Sequence, residues 1–144
     1  MSEIDDFDLR DFMPYLLNQA AEASSLDFQR LYKSRYGMLR TEWRVLFHLG
    51  RYGAMTAKEI CARARTHKTK VSRAVSALEG KRFLTRAEVS EDRRHERLAL
   101  TPAGQAAYRD LTQEAREFDA ELLAPFSEAD QEVLRRCLAQ IAGL

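Results

Sequence analysis

Between His67 and Gly80 the sequence sets two kinds of residue on opposite sides of a helical repeat. Val71, Ala74, Val75 and Leu78 recur at helical spacing and call for burial. That leaves His67, Lys68, Thr69, Lys70, Ser72, Arg73 and Ser76 on the other side, concentrated in the first half of the segment. Such a face suits a polyanion that also offers hydrogen-bonding edges. Lysine and arginine hold phosphates, serine and threonine contact phosphates or bases, and Arg73 is able to pair bidentately with a guanine. Arg63 and Arg65, just upstream, extend the basic surface. A solvated amphipathic helix has the same pattern, so this segment alone does not decide the matter.

A second cationic feature follows. Arg93 and Arg94 lie in the polar run from Ser90 to Glu96, between a short run with β-branched and aromatic residues, Phe83 to Val89, and a second short run, Arg97 to Leu100. This reads as a two-stranded hairpin with a charged tip. Arginines projecting from such a ribbon suit a narrow minor groove. Asp92 is no phosphate binder and is expected to fold back and brace the tip. An ordinary charged turn is the alternative for the tip by itself. From Thr56 to Arg97 there are 12 Lys/Arg against 6 Asp/Glu, a net +6, while the rest of the chain carries 11 against 16, a net −5. The chain's overall +1 therefore hides a basic block in an acidic frame, which points to a localised anionic partner.

The elements that must position these residues are legible from helix punctuation. Pro14 opens a long helix that ends at Tyr36-Gly37, and Thr41 is placed to cap a second helix, closed by Gly53. Thr56-Ala57-Lys58-Glu59 is a capping box that opens a short helix running to about Ala64. The basic helix of about 67–80 follows after a turn, which makes a helix-turn-helix. Thr101-Pro102 starts another helix, in which Gly104, Tyr108, Leu111, Ala115, Phe118 and Leu122 form a heptad-like seam. Pro125 ends it, and Ser127 opens a last helix with Val133, Leu134, Cys137, Leu138, Ile141 and Leu144 on its apolar side. The terminal helices carry more apolar face than a core this small consumes, which predicts a homodimer.

Other chemistries find little support. The 144 residues contain no nucleophile elbow, phosphate loop or His-Glu metal motif, so no enzyme and no cofactor are expected. His48, His67 and His95 lack metal-ligand spacing. Cys61 and Cys137 are expected to behave as small hydrophobes rather than as redox sensors. No apolar run approaches the ~18 residues of a membrane span. The acidic start lacks a signal-peptide pattern, and a cytoplasmic protein is expected.

The sequence resembles the multiple-antibiotic-resistance regulator (MarR) family of bacterial transcription factors. The resemblance rests on Leu39 to Leu46, Thr56 to Ile60, Lys68 to Leu78, Phe83 to Arg86, Glu91-Asp92-Arg93-Arg94 and Leu98 to Gly104. It implies a mainly α fold with a small β-hairpin wing. Residues 38–102 would form the winged helix-turn-helix, with the wing at about 83–100, and residues 1–37 and 103–144 the helical dimerisation region. It further implies a homodimer on a palindromic operator, acting as a repressor relieved by a small aromatic ligand. The family's DNA-reading positions fall here on Lys68, Thr69, Lys70, Ser72 and Arg73, with Arg94 in the wing. The family usually carries Asp where this chain has His67, a change that removes a favourable carboxylate from a helix N-terminus and brings in a group that titrates near neutrality. Effectors in the family sit between the dimerisation helices and the winged domain, where this chain would offer Phe28, Tyr32, Tyr36, Arg40, Trp43, Arg44 and His48. Aromatic walls with an arginine suit a planar aromatic carboxylate or its coenzyme A thioester, although the same residues serve equally as aromatic core. A basic-faced helical module for protein partners is the alternative to a DNA-binding regulator, followed by a cysteine-based redox-sensing regulator.

Overall fold

The computed structural model describes residues 5–88 and 96–144. Among these residues, after a single 3-10 turn at Leu9–Asp11, six helices and three short strands follow in the order α1 (Met13–Tyr36), α2 (Arg40–Tyr52), β1 (Met55–Thr56), α3 (Ala57–Ala64), α4 (Lys68–Gly80), β2 (Leu84–Glu88), β3 (Glu96–Leu100), α5 (Pro102–Leu123) and α6 (Glu128–Ala142). This is the mainly helical, winged architecture that the sequence pattern predicts.

Local chemistry sets most boundaries. Pro14 occupies the first turn of α1, and Gly37 ends it in the left-handed region at φ 65°. Thr56 caps α3 as expected, its hydroxyl accepting from the Glu59 amide while the Glu59 carboxylate accepts from the Thr56 amide. The start of α2 corrects the expectation. Thr41 lies inside the helix and Leu39 is the residue at its edge, with Glu42 reaching back to accept from the Leu39 amide at 2.7 Å. A carboxylate three residues in thus does the work expected of a hydroxyl cap.

The sheet has one strand more than the expected hairpin. Its order is β1-β3-β2, all antiparallel, with Met55 opposite Leu98 and Leu84 opposite Leu100. Two residues are too few to show a period of two, which is why β1 escapes sequence reading. Its effect is to fasten the loop before α3 to the root of the wing.

The core lies where α2, α3, α4, α5 and the sheet meet, with Leu46, Leu49, Ile60, Val71, Leu78, Leu84, Leu98 and Leu111 fully enclosed. Each such side chain contributes about 1.5–3 kcal/mol of burial. The ends of the chain behave differently. No residue of α6 is buried, and Leu134, Leu138 and Ile141 lie open, as do Leu9, Phe12, Met13 and Leu16 at the other terminus. Cys61 is half-buried, but Cys137, read from the sequence as a packed hydrophobe, is exposed on α6. The α5 seam is shifted likewise: Gly104, Ala107, Leu111 and Leu123 are buried, whereas Leu122 is 44% exposed.

Candidate nucleic-acid interface

Helix α4 presents the two faces that its sequence requires. Val71, Ala74, Val75 and Leu78 are buried, while Lys68, Thr69, Lys70, Ser72 and Arg73 are all exposed on the other side. The inner stripe therefore fixes the rotation of the helix and turns its cationic face outward. His67 stands at the N-cap, where Nδ1 accepts a hydrogen bond from the Thr69 amide at 3.2 Å. The imidazole thus does the capping that a carboxylate would do.

Arg65 is engaged elsewhere. It adopts the left-handed conformation at φ 50°, ending α3. Its guanidinium donates to the carbonyls of Ala142 and Gly143 at 2.6 and 2.8 Å, at the end of α6. Its cationic head therefore neutralises a helix C-terminus rather than joining the group on α4. Asp92, Arg93 and Arg94 lie outside the described residues.

Arg86 is a contributor that sequence reading missed. From β2 its Nε donates to Glu79 at 3.0 Å, Nη1 to Glu96 at 3.3 Å and Nη2 to the Ser76 hydroxyl at 3.4 Å. One side chain thereby ties the two strands of the hairpin to the last turn of α4. Its sequence signal was a cation inside a short strand-like run that also carries Thr85 and Glu88.

The seven residues expected around an effector do not converge on one site. Phe28, Tyr32 and Trp43 pack on one another with ring centroids 5.5–6.3 Å apart, and Arg40 and Arg44 lie near the Tyr32 hydroxyl. Burial pushes the Tyr32 phenol up, and the two guanidinium groups oppose that shift. Tyr36 points elsewhere, its ring edge-on to Phe83 and its hydroxyl donating to Asp110 at 2.5 Å. His48 turns Nδ1 to the Arg44 carbonyl and its ring toward Phe47 and Tyr52. The aromatic residues thus line core rather than open space, and of the seven only Arg40 borders the cavity between α1, α2 and α4.

The Tyr36–Asp110 bond belongs to a tie between α1 and α5 that also includes Arg35, 2.9 Å from Asp110 and 3.3 Å from Glu114. Burial, with help from the Asp110 carboxylate, pushes the Tyr36 phenol up to about 12, while bonds from Tyr36 and Arg35 hold Asp110 below the usual carboxylate range. The raised phenol contributes stability that is complete below the ordinary tyrosine range and is lost as pH climbs through its own value. The lowered carboxyl contributes above the ordinary carboxylate range and fails on acidification. Tyr36→Phe is expected to cost about 1 kcal/mol near neutrality, after discounting for partial exposure. Urea titrations of parent and variant should show that difference shrinking at both acid and strongly alkaline pH.

A helix-turn-helix with an exposed cationic second helix, braced to a β-wing, is the architecture of DNA-binding winged-helix transcriptional regulators. The comparisons with known proteins agree. A model of the MarR family matches residues 36–95. The chain is 31% identical over 97 residues to an uncharacterized HTH-type transcriptional regulator, YwoH of Bacillus subtilis (strain 168), spanning 67% of this chain and 70% of that one. A MarR/EmrR family regulator from Acinetobacter sp. ADP1 superposes with a TM-score of 0.83 at 27% identity, covering 95% of this chain and 96% of the other. The PcaV regulator of Streptomyces coelicolor, solved with its natural ligand, shares the fold at a TM-score of 0.81 and 19% identity, over 99% and 98% of the two chains. The chain belongs to the MarR family of transcriptional regulators. No helix among the described residues is long and apolar enough to cross a membrane.

Proposed function

We propose that the protein is a cytoplasmic, homodimeric repressor that binds a pseudo-palindromic operator and is released by a small aromatic acid or its coenzyme A thioester. The observation that carries the DNA-binding part is the outward face of α4, five polar and cationic residues opposite a fully buried stripe. Lys68, Thr69, Lys70, Ser72 and Arg73 read the major groove. Arg93 and Arg94, outside the described residues, are assigned to the minor groove, and Asp92 to bracing them. The open apolar faces at both chain ends support the homodimer, since a second copy would cover them. Two recognition helices would then enter major grooves about one helical turn apart. The effector reading draws support from Arg40 and Arg44 beside an aromatic cluster, and from PcaV, a protein of the same fold that holds its natural ligand.

Fluorescence anisotropy against the duplex upstream of the protein's own gene tests this reading, with a scrambled duplex alongside and several salt concentrations. Specific binding that weakens steeply with salt is expected. Arg73→Ala and Arg94→Ala should each weaken operator binding by about 1–3 kcal/mol, and Lys68→Ala should lower the salt slope by about 1. Equal binding to both duplexes, or full affinity in both arginine variants, would remove the assignment.

A further inference from the structure

A cavity of about 500 Å³ opens between the C-terminal half of α1, the start of α2 and the flank of α4 that carries Lys70, Arg73, Ala74 and Ala77. Leu39, Ala74 and Ala77 give it an apolar wall, and Arg40, Lys70 and Arg73 give it three cations. Its one acid, Glu42, is already engaged by the Leu39 amide and the Lys81 ammonium, so it cancels none of the three. Lys70 and Arg73 form no ion pair among the described residues. Arg40 brings a second sign: its guanidinium lies near the Tyr32 hydroxyl, but its Nε is shielded from solvent and has no hydrogen-bond partner among the described residues. A buried N–H left unmade is costly, and an oxyanion entering the cavity would satisfy it.

We propose that this cavity is a binding site for a small organic phosphate monoester, and that its occupant competes with DNA for Lys70 and Arg73. Three cations around one opening favour a doubly charged group with several acceptor oxygens over a singly charged carboxylate. The apolar wall favours an organic body on that phosphate over the bare ion. The proposal rests on the regulator reading for its consequence. Of the two effector classes named above, it selects the one that carries phosphates. Release would then be direct, because the ligand takes two of the side chains that hold the operator, and no shape change need be transmitted from elsewhere.

DNA itself is the other source of phosphate, so the site is tested first without it. Calorimetric titration of the full chain with phenyl phosphate, benzoate and inorganic phosphate should give saturable binding of phenyl phosphate in the low-millimolar range or tighter. The other two should bind about tenfold more weakly. Arg40→Gln should weaken phenyl phosphate by about tenfold or more, the loss of a charge-assisted bond. Ala77→Leu, which fills the cavity from α4, should do the same if Arg40→Gln does not fold. Phenyl phosphate should then displace a bound operator duplex from the parent and not from a folded variant.

Several results would overturn the proposal. These are no saturation by phenyl phosphate, equal binding of inorganic phosphate or of benzoate, or binding untouched by both substitutions. A variant that lowers operator affinity and salt slope while phenyl phosphate stays silent would make the cavity a seat for the DNA backbone instead. Phenyl phosphate bound at Arg40 in a protein that binds no operator would leave the site standing and remove the regulator reading.

Discussion

Gly104→Ala is expected to destabilise the protein by about 3 kcal/mol or more, enough to abolish operator binding along with much of the folded population. A methyl group at this position would lie 2.0 Å from the Phe83 carbonyl oxygen and 2.9 Å from its carbon. Both are backbone atoms, so no side-chain rotation relieves the clash. The Phe83 carbonyl is itself held, because it accepts from the Thr101 amide at 3.0 Å. Thr101 in turn donates its hydroxyl to the Arg82 carbonyl at 2.7 Å and accepts from the Gly104 amide at 3.0 Å. The first turn of α5 is therefore pinned to the segment linking α4 to the wing, and displacing it breaks the cap and the wing root together. Two other glycines calibrate the result. At Gly50 an added carbon would meet the Tyr108 ring at 2.3 Å, a side chain that is able to swing aside at the expense of its packing on Phe47. At Gly80 nothing lies within 4 Å, so alanine there should be neutral or slightly stabilising. Chemical denaturation of the three variants should order them Gly104 worst, Gly50 intermediate and Gly80 mildest. A Gly104→Ala protein as stable as Gly80→Ala would contradict the close approach.

What the sequence reveals and what it withholds divide along a physical line. Signals confined to a few consecutive residues are readable: Gly37 past a helix end, the Thr56–Glu59 box, Thr101-Pro102, and the inner stripe of α4 that turns Lys68 to Arg73 outward. The caps depend on backbone groups within one helical turn and the stripe on a single helical period, so the surrounding fold hardly alters them. Pairings across the fold are not readable. Arg86 with Glu79 and Glu96, and Tyr36 with Asp110, join residues brought together only by packing. Where one residue type admits two roles, tertiary contact decides between them. Arg65 has the charge and position of a DNA contact, yet it closes the end of α6. His67, from the sequence, is the loss of a capping carboxylate, yet its ring nitrogen accepts the amide that would otherwise go unmatched. The residues expected around an effector follow the same rule. Aromatic residues draw attention in a sequence, but here they satisfy one another, and the cavity forms beside small residues, Ala74 and Ala77, whose sequence signal is only that of a packed helix.

Lys81→Met should be the second severe substitution, costing about 2–3 kcal/mol. Glu42 is 3% exposed, and its carboxylate meets two donors, the Leu39 amide at 2.7 Å and the Lys81 ammonium at 3.0 Å. Methionine preserves most of the lysine stem, so packing changes little and the lost charge dominates. A buried carboxylate deprived of its cation keeps its desolvation penalty and loses the attraction that offset it, a loss of about 3–5 kcal/mol for fully enclosed pairs. Lys81 is 30% exposed, and water admitted from its side reduces the figure. Glu42→Gln should cost less, about 1 kcal/mol, because it leaves an ammonium that water reaches and an amide that still accepts from Leu39. The double variant Glu42→Gln/Lys81→Met should recover part of what Lys81→Met alone loses, since neither charge then remains, and a denaturation cycle over the four proteins measures that coupling. The pair also has a mechanical role. Lys81 follows the last residue of α4 and Glu42 lies in the first turn of α2, so their bond fixes the far end of the recognition helix as His67 fixes the near end. Operator affinity in Lys81→Met should therefore fall further than the unfolded fraction explains. If affinity per folded molecule is unchanged, the core stripe alone orients α4 and the ion pair serves only stability.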